Sequence, residues 1–180
     1  MRQSSKAALG GIISALSVVI MLCTYISPFL VYTAPAFAGI LLMVIVKEAG
    51  YKWALGNYAC VSLLSFFIIA DKEAAVFYIM LFGNYPVLSM FLGDKIRNTA
   101  FRFLIKFTVF NASVLLAVFL CSYFFGISYD DLYNEGYVYL IVFAVLLNIL
   151  MLIYDILIGR LIVLYVKKIQ SKFRKLFNIR

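Results

Sequence analysis

Residues 65–86 read "SFFIIADKEAAVFYIMLFGNYP", with Asp71, Lys72 and Glu73 standing together between two apolar runs. Two membrane helices joined by a polar surface turn give this pattern, because hydrocarbon excludes charge and the water interface does not. The same triplet also suits the lip of a binding site.

The rest of the chain supports a lipid environment. Of its 180 residues, 66% are hydrophobic and 13% charged, and the mean hydropathy is +1.04. Soluble domains carry about 25% charged residues. A soluble chain of this size has no core large enough for so much apolar side chain. About 20 apolar residues span a bilayer as a helix, and charges and turn residues mark six such runs. Helix 1 covers residues 7–26, and "SPFLVYTAP" (27–35) breaks it. Helix 2 continues to residue 46, helix 3 covers 53–70, and helix 4 covers 74–92. The basic, amphipathic "GDKIRNTAFRFLIK" precedes helix 5 at 107–125. The polar "GISYDDLYNEG" then leads to helix 6 at 137–166. The expected fold is all-α: one integral membrane domain over 1–180, a bundle of six transmembrane helices. The first apolar stretch exceeds the roughly 7–15 residues of a signal-peptide core, so it is read as a retained helix.

Lysine and arginine set the orientation, since positive loops stay in the cytoplasm. With six helices, all but one of the 16 basic residues fall on the side of the two termini. The exception is Lys72. Both termini are therefore expected in the cytoplasm, with the plasma membrane as location. The tail, 166–180, places Ile169, Phe173 and Leu176 on one face among basic residues, as an interfacial helix on anionic lipid does. Membrane topology accounts for the positive charge, and no nucleic-acid partner is implied.

Several chemistries are disfavoured. The chain has no histidine, the commonest general base and transition-metal ligand. Cys23, Cys60 and Cys121 each stand alone in apolar sequence, so free thiols are expected and no metal or cofactor is. An enzyme is not expected.

Polar groups inside the bilayer mark candidate sites. Asp71 suits a helix cap and Glu73 the first turn of helix 4. Lys72, against the topology rule, is placed to meet an anionic group. Pro86 frees the carbonyl of Phe82, so "FGNYP" predicts a kink, with Asn84 available to the freed backbone. Tyr78 and Tyr85 are seven apart and share one face of a regular helix. Tyr25 and Tyr32 belong to a group of tyrosines at the same side as the triplet, where interfacial belts form. Asn111 and Asn148 are buried amides whose default partners lie on other helices, Asn148 being the better pocket candidate. Asp155 needs a counter-charge; Arg160 has poor spacing, which leaves Arg102 or Lys106. A proton-linked role for Asp155 is the sharper alternative. On helix 1, Ala7, Gly11 and Ala15 recur every four residues beside Gly10 and Ser14. Such a stripe admits a close helix, within the bundle or from another protein.

Six helices, this length and the helix-1 segment "ALGGIISA" resemble the S components of energy-coupling-factor (ECF) transporters. "ISPFLVYTAPAFAGILLMVIVKEAG" is similar to that family's first outer loop and second helix. The resemblance implies a substrate-binding membrane subunit for a vitamin-like or other small nutrient. It implies binding beneath the loops carrying Tyr25, Tyr32, Asp71, Lys72 and Glu73, with Tyr78, Asn84, Tyr85 and Asn148 as further candidates. It implies docking of the stripe of Ala7, Gly11 and Ala15 onto a transmembrane coupling subunit driven by two cytoplasmic ATPases. No GxxxxGK[ST] loop occurs here, in keeping with a subunit that hydrolyses nothing. The alternative is a membrane scaffold of the cell-shape machinery, resembling the MreD family. Lys72, Tyr78 and Asn84 gathered around a cavity favour the solute binder; a filled bundle favours the scaffold.

Overall fold

The computed structural model describes residues 3–27, 29–125 and 137–170. The regular elements among them are all helical: α1 (Gln3–Leu22), α2 (Leu30–Ala49), α3 (Tyr51–Ile68), α4 (Lys72–Lys95), α5 (Thr99–Phe125) and α6 (Tyr137–Leu164). A 3₁₀ turn, Cys23–Tyr25, extends α1, and a π turn, Tyr165–Ile169, extends α6. Five of the six are long and apolar enough to cross a membrane. The exception is α3, 18 residues long, whose first half carries Lys52, Asn57 and Tyr58. Residues 171–180 of the expected interfacial tail, and residues 126–136 of the last polar loop, lie outside the described part.

Local chemistry sets the helix ends. Gly50, at φ 93°, closes α2 by donating to the carbonyls of Ile45 and Val46, and α3 starts at the next residue. Only glycine holds that conformation without cost. Asp71 caps α4, its carboxylate accepting from Ala74 N at 3.2 Å, with Glu73 in the positively polarised first turn. Asn98 caps α5 by accepting from Ala100 N at 3.0 Å. That cap moves the start of α5 two turns ahead of the expected residue 107, because the basic amphipathic segment is helical too. Helix α2 likewise starts before Pro35 rather than after it. Near a helix start the ring removes a single backbone bond, to the carbonyl of Val31.

Helix α2 occupies the centre and packs against α1, α3 and α4. Leu42, Ile45, Met21 and Val61 are fully buried around it. Helices α5 and α6 flank α4 and turn apolar side chains outward, with Leu115 73% and Ile153 62% exposed. In water such a surface is untenable; in lipid it is the solvated face.

Neighbouring helices alternate in direction, which gives the bundle two distinct ends. One is basic: Lys6 Nζ donates to the Ala49 carbonyl, Tyr51 to Asp94 at 2.5 Å, and Tyr165 and Gln170 to Glu48. The other carries Asp71 and Glu73.

Candidate functional site

The middle of α4 departs from a regular helix. Residues Tyr78–Phe82 form a π turn, in which Gly83 N donates to Tyr78 O at 2.8 Å. This accommodates Pro86, which has no N–H for the Phe82 carbonyl. That carbonyl faces the hydroxyl of Tyr154 on α6, at 3.4 Å, and the same hydroxyl donates to the Ala36 carbonyl at 3.1 Å. The group expected to meet the freed backbone was Asn84; it is Tyr154. Gly39 completes the crossing, since a Cβ there would overlap the Phe82 carbonyl and stand 2.9 Å from the Tyr154 hydroxyl.

The π turn also separates Tyr78 from Tyr85. Seven residues of regular helix return to nearly the same face, but one extra residue in the turn removes about 100°. Tyr78 accordingly packs on Tyr58 of α3, ring centroids 6.2 Å apart, whereas Tyr85 meets Phe110 of α5 and Tyr154 of α6. Both are core residues. Asn84 lines only a small crevice beside Tyr85 and Ser113.

Two other sets of intramembrane polar groups pair across the helices. Asn111 and Asn148 exchange amide hydrogen bonds of 2.9 and 3.2 Å between α5 and α6. Asn148 also donates to the Ala144 carbonyl, so both its amide ends are engaged within the bundle. Asp155 accepts from Lys106 at 2.7 and 3.0 Å and from Ser89 at 2.9 Å. The counter-charge is thus Lys106, one of the two expected. These groups, with Lys47, Asp94 and Arg102, line a polar recess of about 350 Å³ at the basic end.

Lys72 is engaged as well. Its ammonium donates to the carbonyls of Phe66 and Ile69 at 2.8 and 2.9 Å, and lies over the Phe66 ring. It therefore closes the C-terminus of α3, where carbonyls lack helical partners and the dipole favours a cation. An anionic ligand was the partner expected from sequence; the structure supplies backbone carbonyls instead. Tyr25 stands 65% exposed beyond α1. The thiols of Cys23 and Cys60 are in no disulfide.

Two concavities remain. The first is a cavity of about 440 Å³ toward the acidic end, between α2, α4, α5 and α6. Its walls include Phe77, Phe82, Phe110, Val114 and Leu147, and its polar groups among the described residues are Tyr32 and Glu73. The Tyr32 hydroxyl donates to Glu73 Oε1 at 3.2 Å, and the Tyr32 and Phe77 rings lie 5.3 Å apart. Of the expected binding residues, Tyr32 and Glu73 line this cavity; Tyr25, Asp71, Lys72, Tyr78, Asn84, Tyr85 and Asn148 do not.

The second is an open groove of about 650 Å³ between the basic-end halves of α1 and α3. Ala7, Gly11 and Ala15 are exposed along it, facing Lys52, Trp53 and Gly56. The adjacent stripe is used internally: Asn57 Nδ2 donates to the Gly10 carbonyl and to Ser14 Oγ, both at 2.7 Å. Asn57 Oδ1 is buried with no hydrogen-bond partner. Sequence reading passed over Asn57, although a lone amide in an apolar run was the available signal. Tyr154 and Gly39 were also passed over, since neither residue type stands out in a membrane helix.

The chain matches no protein-family model, no curated protein and no solved structure.

Proposed function

We propose that this protein is a membrane-embedded subunit that binds a small nutrient in the acidic-end cavity and docks a coupling protein in the α1–α3 groove. The observation that carries this reading is the pairing of those two concavities at opposite ends of one bundle. A volume of about 440 Å³ falls in the range of small-molecule pockets, about 300–1,000 Å³. Its mainly apolar walls with one polar pair also match such sites. The groove offers small residues, which let a partner helix approach closely. The work division is that of an ECF S component, with energy supplied by two cytoplasmic ATPases through a transmembrane subunit.

The orientation belongs to the same proposal. With six spans, all but one of the 16 basic residues of the sequence would share one side, and the positive-inside rule supports a cytoplasmic location for both termini. The cavity then opens toward the outside, and the groove lies near the cytoplasmic face of the plasma membrane.

A second reading, a scaffold of the cell-shape machinery, draws on the packing of α4. Lys72, Tyr78 and Asn84 do not gather around a cavity, and the Asn111–Asn148 and Lys106–Asp155 pairs serve the bundle itself. It leaves the 440 Å³ cavity without a role.

Denaturing the full-length protein, purified from its own membranes, and identifying released small molecules by mass spectrometry tests the solute-binding reading. A stoichiometric small solute, absent when Val114→Phe fills the cavity, is expected. Release of bulk lipid alone would favour the scaffold.

A further inference from the structure

We propose that the polar recess at the basic end binds a phosphate group, with Arg102 and Lys47 as its ligands, the phosphate being that of a lipid headgroup or of a soluble ester. The site is separate from the acidic-end cavity and from the α1–α3 groove. Four helices meet there: α2 supplies Lys47, α4 Asp94, α5 Arg102 and Lys106, and α6 Asp155. Three of these side chains are cationic and two anionic. Both carboxylates are engaged, Asp155 by Lys106 and Ser89, and Asp94 by the Tyr51 hydroxyl. Lys106 is thereby neutralised. Lys47 and Arg102 are half-buried, and among the described residues their side chains have no hydrogen bond or ion pair. The recess therefore keeps a net positive charge. The adjoining sequence at the two chain ends, residues 1–2 and 171–180, adds five basic side chains and no acidic one, a charge of the same sign.

The geometry suits a phosphate. A Cβ at Gly93 would stand 3.9 Å from Arg102 Nη1, so the guanidinium reaches across from α5 to the wall that α4 forms. Its planar fork matches two phosphate oxygens, and a lysine adds a point charge. Cations partly withdrawn from water lose hydration, and a bound anion offsets that cost. The volume, about 350 Å³, lies within the range of small-molecule sites, about 300–1,000 Å³. Met90, Ile158 and Ile162 complete the wall and offer apolar contact to the carbon skeleton of an ester. Basic recesses between transmembrane helices hold anionic lipid headgroups by this chemistry.

The test uses purified full-length protein in a neutral maltoside detergent. The probes are inorganic phosphate, glycerol 1-phosphate and dioctanoyl phosphatidylglycerol, with succinate and uncharged dioctanoylglycerol as controls. Thermal shift finds the binders, and titration calorimetry gives Kd. At least one phosphate probe should bind saturably and more tightly than both controls. Arg102→Gln and Lys47→Gln should each weaken it by about tenfold or more. Arg102→Lys, which keeps the charge and the fold but loses the fork, should fall between. Lys95→Gln, whose ammonium lies over the Phe91 ring outside the recess, should change nothing. Phosphatidylglycerol binding well above glycerol 1-phosphate identifies a lipid headgroup as the source; equal binding identifies a soluble phosphate. Either result supports the site. No binding of any phosphate probe, equal binding of succinate or dioctanoylglycerol, binding that survives both Arg102→Gln and Lys47→Gln, or an equal loss in Lys95→Gln would overturn it.

Discussion

Tyr154 carries more of the structure than its sequence surroundings suggest. Its single hydroxyl proton is donated to the Ala36 carbonyl of α2, with the Phe82 carbonyl of the π turn of α4 at 3.4 Å, and no water is at hand in hydrocarbon to replace it. Tyr154→Phe should therefore cost about 0.5–1.5 kcal/mol, measured by unfolding in mixed micelles with a rising fraction of SDS. Gly39 is the stricter position. An added methyl collides with the Phe82 backbone, which cannot move aside as a flexible side chain would. Gly39→Ala should cost about 1–3 kcal/mol in the same measurement. The Lys106–Asp155 pair should respond asymmetrically. The Lys106 side chain is 8% exposed and that of Asp155 29%. Asp155→Ala strands a buried ammonium and should destabilise by about 3 kcal/mol, whereas Lys106→Met should cost less. A double variant more stable than Asp155→Ala alone would establish the coupling, and strict additivity would refute it.

At the scale of elements, the runs between charges located the long helices among the described residues, five of them apolar enough to cross a membrane, because hydrocarbon length and charge exclusion act over whole segments. Boundaries were harder where amphipathic or proline-containing turns join a helix, as at 99–106 and 30–35. Asp71 was legible as a cap because its type and position suffice. Lys72 was not legible, because the groups that hold it, two carbonyls, exist only once α3 ends. The π turn was equally hidden: Pro86 announces a freed carbonyl, but not which helix answers it. That local insertion is why Tyr78 and Tyr85 face different neighbours. The stripe on α1 was visible in sequence, yet its division into an internal half, Gly10 and Ser14, and an exposed half, Gly11 and Ala15, needed the packing of α3. A prediction follows from that division. A Cβ at Gly11 meets nothing within 4 Å, whereas one at Gly10 stands 3.2 Å from Asn57. Gly11→Leu should leave the melting temperature of the isolated protein within a degree or two and abolish partner binding. Gly10→Leu should lower the melting temperature itself.

For the whole molecule, the proposed function gives the two ends different tasks across one packed core. The acidic end encloses a chamber, the basic end leaves a groove, and α2 and α4 connect them through the crossing at Gly39 and Tyr154. A solute at one end and a coupling protein at the other would then act on the same pair of helices. The most direct measurement is affinity purification of the wild type and of Gly11→Leu from native membranes in mild detergent, with mass spectrometry of the co-purifying proteins. The account predicts two ATPases and a larger membrane protein with the wild type, and their loss from Gly11→Leu. Cell-wall or morphogenesis proteins in their place, or ATPases retained by Gly11→Leu, would contradict it.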